Sequence, residues 1–102
     1  LVLPHVLRFN ALKYPEIYSE IAYCVFPKLK GNSSQDIAQE FAEQLSNLSK
    51  KCGLQQNLRE LGINKESLPM LAKESMNQTR LLVNNPRDLT EKDALLIYET
   101  AW

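Results

Sequence analysis

Apolar residues recur every three or four positions through most of this chain, and this spacing is the feature that most restricts its fold. The clearest run begins behind Ser33 and places five residues on one face of a single helix: Ile37, Phe41, Leu45, Leu48 and Cys52. Nowhere do apolar and polar residues alternate for long enough to make a half-buried strand. The sequence therefore predicts an all-α fold, a multi-helix bundle.

Proline, glycine and capping residues divide this pattern into segments. Helices are predicted over residues 1–14, 15–26, 33–52, 56–61, 67–78 and 90–102. Ser33 with Asp36, and Thr90 with Asp93, have the spacing of a capping box at a helix start. Gly53 stands where a left-handed cap would end the third helix.

Charge and hydropathy exclude several kinds of partner. Twelve basic and twelve acidic residues cancel, whereas a nucleic-acid-binding domain normally carries a strongly basic face. No apolar run approaches the roughly 20 residues needed to cross a bilayer. The opening Leu-Val-Leu-Pro lacks the cationic start of a signal peptide, which favours a cytoplasmic protein. Neither nucleic acid nor a membrane is expected as a partner, and three Asn-X-Ser/Thr sequons are interpreted as chance matches.

No group of residues has the pattern of a self-sufficient active site. Cys24 and Cys52 lie on the apolar faces of predicted helices, so we expect reduced, buried thiols, although a disulfide is possible by count. His5 follows a proline in an apolar stretch and is expected to be a buried or half-buried structural histidine. Glu40 and Glu43 are expected on a solvated helix face.

Three longer strings carry a resemblance to a known family: LVLPHVLRFN, LRELGINKESLPMLAKES and NNPRDLTEKDALLIYETAW. Together they resemble the C-terminal part of the iron-containing (group III) alcohol dehydrogenases, in order and in approximate spacing. The resemblance implies the dehydroquinate-synthase-like helical domain of that family. Residues 1–102 would be the C-terminal part of this helical metal-binding domain, with the N-terminal nucleotide-binding domain absent.

The resemblance also implies a reaction and its cofactors. The parent enzyme would use NAD(P) and a divalent metal, iron or zinc, to oxidise small primary alcohols or reduce aldehydes, and a homo-oligomer is expected. The family's metal ligands, one Asp and three His, precede this segment, and His5 matches a histidine that is not a ligand. No catalytic, cofactor-binding or metal-binding residue is therefore expected here, and the chain alone should be inactive. The alternative is a stand-alone helical interaction module without catalysis.

One position is carried over as a possible lining residue of the substrate pocket. Relatives often have Asp-x-Cys-Thr before the Asn-Pro-Arg turn, and alignment on Asn85 places Leu81 at the Cys position and Thr79 at the Asp position. If Leu81 lines the pocket, its apolar side chain favours an alkyl chain over a polyol. The alternative is that Leu81 is a core residue. Arg87 is expected to orient the turn through carboxylate or carbonyl contacts.

A last expectation concerns the opening segment, whose apolar residues could be left without a partner. We expect the isolated chain to self-associate through this segment, which carries Val2, Leu3, Val6 and Phe9.

Overall fold

A computed structural model describes all 102 residues of the chain. Its α-helices are α1 (Leu3–Ala11), α2 (Pro15–Val25), α3 (Ser34–Lys51), α4 (Leu68–Ser75), α5 (Thr79–Leu82) and α6 (Glu91–Ala101). Two 3₁₀ turns, Leu58–Leu61 and Lys65–Ser67, connect α3 to α4. There are no strands, which confirms the all-α prediction. No helix is both long enough and apolar enough to span a bilayer.

Most helix ends coincide with the signals found in the sequence. Ser33 Oγ accepts a hydrogen bond from the backbone N–H of Asp36 at 3.1 Å, so α3 begins at its predicted cap. Only Thr90 and Asp93 complete the reciprocal capping box, at the start of α6. Gly53 has a φ of 74°, as the left-handed cap of α3 requires.

The first of two apolar clusters holds α1, α2 and α3 together. Alanines dominate it because a methyl side chain lets helix backbones approach closely while leaving no void. Its fully or nearly fully buried members are Leu7, Ala11, Ala22, Ile37, Ala38, Phe41 and Ala42. An ion pair between Arg8 Nη2 and Glu43 Oε2, at 3.0 Å, joins α1 and α3 at the surface.

The second cluster joins α4 and α6 to the connecting turns. Leu58, Leu68 and Ala101 form its buried centre. Trp102 closes one side, where its indole N–H donates to the carbonyl of Ile63 at 2.9 Å. Helix α1 lies between the two clusters because it packs on α2 and α3 on one side and on α6 on the other.

The helical spacing of Ile17, Ile21, Cys24 and Val25 predicts that this side of α2 faces the core, but α2 buries its other side. The side that contains Ser19 and Ala22 faces the core. Those smaller residues permit close packing on α3, whereas the bulkier row with Ile17 and Ile21 is left half-exposed.

The prediction of buried thiols is wrong for both cysteines, which are free but exposed. Cys24 lies on the uncovered row of α2. Cys52 is the C-cap of α3, where the end of that helix extends beyond the core.

Candidate functional site: an apolar cleft beside the Asn-Pro-Arg turn

The connection between α5 and α6 contains the Asn-Pro-Arg turn, and a buried amide pair ties this turn to α1. Asn10 Nδ2 donates to Asn85 Oδ1 at 2.7 Å, and Asn85 Nδ2 donates back to Asn10 Oδ1 at 3.0 Å. Asn10 is only 2% exposed, and its Nδ2 also donates to Tyr18 Oη at 3.0 Å. Every hydrogen-bonding atom of the Asn10 side chain is thus used within the fold, as a buried amide requires.

Arg87 adds a second attachment between the turn and α1. Its Nη1 donates to the carbonyl of Phe9 at 2.6 Å, while its guanidinium carbon lies 3.7 Å from the centre of the Phe9 ring. Arg87 is therefore held against Phe9 both by stacking on its ring and by a charge-assisted hydrogen bond to its carbonyl. The predicted orienting role of Arg87, through a carbonyl contact, is confirmed.

The cap of α6 follows directly and fixes the other end of the connection. Asp93 Oδ2 accepts hydrogen bonds from the hydroxyl of Thr90 at 2.6 Å and from its backbone N–H at 2.9 Å. These two bonds favour the carboxylate and lower the pKa of Asp93 below its ordinary value. The segment from Asn85 to Asp93 is therefore held at both ends by specific polar contacts.

An open cleft of about 480 Å³ lies between this connection, α1 and α6. Nine of its eleven lining residues are hydrophobic, and the other two are Ser75 and Asn85. The apolar lining comes from three parts of the chain: Val2, Leu3 and Val6 from the opening segment; Leu81, Leu82 and Leu89 around the turn; and Ala94, Ile97 and Tyr98 from α6. Its dimensions and lining are those of a site for a small, mostly apolar ligand.

Leu81 lies on the wall of this cleft with 59% of its surface exposed. It belongs to α5, a single helical turn with no signal in the sequence, and its exposure is contrary to the alternative of a core residue. Thr79, the position aligned with the family's Asp, begins the same turn and does not line the cleft.

His5 faces a different hollow, beside Arg8, Leu96 and Thr100. Its Nδ1 lies 3.2 Å from Thr100 Oγ1, which itself donates to the carbonyl of Ile97 at 2.9 Å. Because the single hydroxyl proton is used on Ile97, His5 Nδ1–H is the donor to Thr100. Burial, and then the nearby Arg8 charge, lower the pKa of His5 below its ordinary value. The prediction that His5 is half-buried is confirmed, and its purely structural role stays a prediction.

No three His, Cys, Asp or Glu side chains lie where they could share a metal ion. Glu43 is exposed, as predicted, and pairs with Arg8. Glu40 is half-buried and accepts a hydrogen bond from Gln44 Nε2 at 2.7 Å. The acidic pair is thus engaged in surface contacts along α3.

Sequence reasoning missed Asn10, the residue that anchors the turn. Its one signal in the sequence is an amide within the apolar run of the first helix, next to Phe9 and Ala11. A buried amide needs partners, but the sequence does not show that the partner is Asn85, which lies 75 residues later in the chain.

The family model described as "Fe-containing alcohol dehydrogenase family, C-terminal" matches residues 1–102. The chain is 33% identical over 102 residues to lactaldehyde reductase of Escherichia coli (strain K12), covering 100% of this chain and 26% of that protein. It is 30% identical over 101 residues to 1,3-propanediol dehydrogenase of Klebsiella pneumoniae, covering 99% of this chain and 26% of that protein.

The fold is similar to that of a solved 1,3-propanediol oxidoreductase. The match has a TM-score of 0.89 and 29% identity, and it covers 100% of this chain and 26% of that one. The chain thus spans about a quarter of the length of these relatives.

Proposed function

Because the chain belongs to the iron-containing alcohol dehydrogenase family, we propose that it forms the C-terminal helical part of a metal-dependent, NAD(P)-linked alcohol dehydrogenase. The observation that carries this proposal is the agreement of the whole chain, in sequence and in fold, with a single region of such enzymes. In the proposed enzyme, these residues form one wall of the substrate site.

The proposal assigns no residue of this chain to the metal. Iron and zinc sites need several nitrogen, sulfur or carboxylate ligands directed at one point. The single histidine, His5, is hydrogen-bonded to Thr100. No three His, Cys, Asp or Glu side chains lie close enough together to share a metal ion. These residues therefore do not fit a metal site, and we place the metal and the NAD(P) in other parts of the enzyme.

The substrate class follows from the lining of the cleft. Leu81, Leu82 and Leu89 offer no hydrogen bond to a second or third hydroxyl group of a polyol, so such a group would depend on Ser75, Asn85 or Tyr98 for a partner. Burying such a hydroxyl without a partner costs about 1–3 kcal/mol, whereas each buried methylene group is favourable by about 0.8 kcal/mol. We therefore propose that the enzyme prefers small primary alcohols or aldehydes with an alkyl chain.

A chimeric enzyme tests the proposal. The chain would replace the matching C-terminal quarter of the Escherichia coli lactaldehyde reductase, and formation of NADH or NADPH would be measured with primary alcohols, iron or zinc, and NAD or NADP. We expect metal-dependent alcohol oxidation by the chimera and none by the truncated reductase without this chain.

Two outcomes of this experiment are informative about the alternatives. A folded chimera without activity would contradict the proposal and favour a helical interaction module. If the chimera is active, Leu81→Ser should shift the ratio of kcat/KM values from butanol towards glycerol by roughly tenfold, since about 1.4 kcal/mol of the cost of an unpartnered hydroxyl corresponds to that factor. The predictions of a cytoplasmic location and a homo-oligomer are not decided by this assay and stay predictions.

A further inference from the structure

Two polar side chains that line the cleft use their protons inside the fold. Ser75 Oγ donates to the carbonyl of Ala72 at 2.7 Å. Both Nδ2 protons of Asn85 are used as well, one on Asn10 Oδ1 at 3.0 Å and one on the carbonyl of Arg87. What remains on Ser75 and Asn85 are oxygen lone pairs, so these side chains can accept a hydrogen bond from a ligand but cannot donate one.

The orientation of the Asn85 amide is fixed by its partners. The carbonyl of Arg87 can only accept, so the Asn85 atom that faces it must be Nδ2. Asn10 Nδ2 donates to Asn85 Oδ1 at 2.7 Å. Turning the Asn85 amide over would set nitrogen against nitrogen and oxygen against oxygen, and Asn10 is too deeply buried for water to replace the lost partners. The two Asn85 protons are therefore not released to a ligand.

Tyr98 is the one lining residue whose side-chain proton the fold leaves free. It is half-buried on α6, and its hydroxyl takes part in none of the side-chain hydrogen bonds of the chain. No Lys, Arg or His is among the eleven lining residues. A ligand group that can only accept hydrogen bonds, such as a carboxylate, therefore finds a single side-chain donor on this wall.

The opening segment adds only apolar surface to the cleft. Val2 and Val6 are half-buried and line it beside Leu3. Phe9, predicted to join them in self-association, is instead buried beneath Arg87, so this part of the prediction is wrong. Against these apolar side chains a carboxylate would lose water and gain no partner.

We propose that the cleft selects ligands by the direction of their hydrogen bonds, so that an uncharged ligand with a hydroxyl as its second polar group is preferred over one with a carboxylate. A hydroxyl has a proton to donate to Asn85 Oδ1 or Ser75 Oγ, whereas a carboxylate has none and would exchange its water for one bond from Tyr98. The inference rests on the proposed function, in which this cleft holds the substrate. It narrows the substrate class, because alkyl alcohols and diols are accepted and hydroxy acids are rejected.

Binding to the 102-residue chain tests this selection without depending on turnover. Backbone amide NMR shifts of the lining residues would be followed at about pH 7, where a carboxylate is ionised, during titration with hexan-1-ol, hexane-1,6-diol or 6-hydroxyhexanoate. We expect both uncharged ligands to shift these amides, and the hydroxy acid to bind at least about tenfold more weakly than the diol. Equal binding of the diol and the hydroxy acid, or no binding of any ligand, would overturn the inference. A folded but inactive chimera, by contrast, would contradict only the proposed function.

Two arginine substitutions show whether the missing donor is the cause. Leu81→Arg would place a guanidinium on the cleft wall and should strengthen binding of 6-hydroxyhexanoate at least about tenfold. Met70→Arg is the matched control, since Met70 is 60% exposed and Leu81 59%, but Met70 lies on α4 outside the cleft. It should leave binding of the hydroxy acid unchanged. Equal gains from the two substitutions would mean that net charge attracts the ligand, and would refute the assigned role of the lining.

Tyr98→Phe removes the single free donor and little else. The monomethyl ether of hexane-1,6-diol cannot donate from its ether end, so its binding should weaken by about threefold to tenfold in this variant. Binding of the diol should change less than about twofold, because Ser75 and Asn85 still accept from it. Tyr23→Phe, on the exposed side of α2, is the control and should alter neither. Ether binding that is the same in Tyr98→Phe and Tyr23→Phe would contradict the assignment of Tyr98 as the donor.

Discussion

The amide pair between Asn10 and Asn85 yields a quantitative prediction about the turn that borders the cleft. Asn85→Ala removes both reciprocal hydrogen bonds, each with a net contribution of about 0.5–1.5 kcal/mol to stability. It also leaves Asn10 Oδ1 buried without a donor, and such an orphaned acceptor costs about 1–3 kcal/mol. Because these contributions overlap, we expect the free energy of unfolding to fall by about 2–4 kcal/mol.

Urea denaturation followed by far-UV circular dichroism measures this loss. With a denaturant slope of about 1.5 kcal/mol per molar, the midpoint should fall by about 1.3–2.7 M. Asn84→Ala is the control: its side chain is exposed and donates only to the carbonyl of Arg80, so its effect should stay within about 0.5 kcal/mol.

A double-mutant cycle of Asn10→Ala and Asn85→Ala isolates the interaction between the two side chains from their contacts with other residues. The coupling energy should be about 1–2 kcal/mol. The reasoning is refuted if Asn85→Ala costs no more than Asn84→Ala, or if the effects of Asn10→Ala and Asn85→Ala simply add.

Three further predictions concern the cap of α6, the histidine and the thiols. Thr90→Ala should lower the free energy of unfolding by about 1 kcal/mol, measured by urea denaturation, and a cost near zero would mean that the cap does not form. Because folding lowers the pKa of Asp93, the ionised carboxylate stabilises the folded state above the unfolded pKa, and this stabilisation is lost as the pH falls through the folded pKa. Thr90→Ala should therefore make the free energy of unfolding less dependent on pH in this acidic range. An unchanged pH dependence would argue against the Thr90 hydrogen bonds as the cause of the lowered pKa. The pKa of His5 is also lowered on folding, so the unfolded state binds the proton of His5 more tightly than the folded state does. The free energy of unfolding should therefore fall as the pH drops below about 6.5, and thermal melts of His5→Gln should not show this fall. Cys24 and Cys52 should both react with a thiol reagent in the native protein at rates near those of the unfolded chain, and protection of either would show that it is buried.

Local signals in the sequence predicted the helices and their ends, because periodicity and capping act over a few neighbouring residues. The Ser33 cap before α3, the left-handed Gly53 after it and the capping box of α6 all lie where these signals place them. The single turn of α5 was missed because four residues are too few to display a helical period.

The choice of buried face depends on which helix lies opposite, and a single helix does not contain that information. Both rows of α2 are compatible with burial by hydropathy, but the small side chain of Ala22 decides the packing on α3. The burial of Cys24 was mispredicted for this reason. The amide pair that holds the candidate site was likewise out of reach, because Asn10 and Asn85 are far apart in sequence and meet only in the folded bundle.

Our main proposal is that these residues form a helical wall of the substrate site in an alcohol dehydrogenase and hold no reacting centre of their own. Its most direct test is an assay of the purified 102-residue chain with NAD or NADP, ferrous or zinc ions and a series of primary alcohols, in which formation of the reduced cofactor is followed by absorbance. The account predicts no reduced cofactor with either metal. Clear, metal-dependent turnover by this chain alone would contradict it.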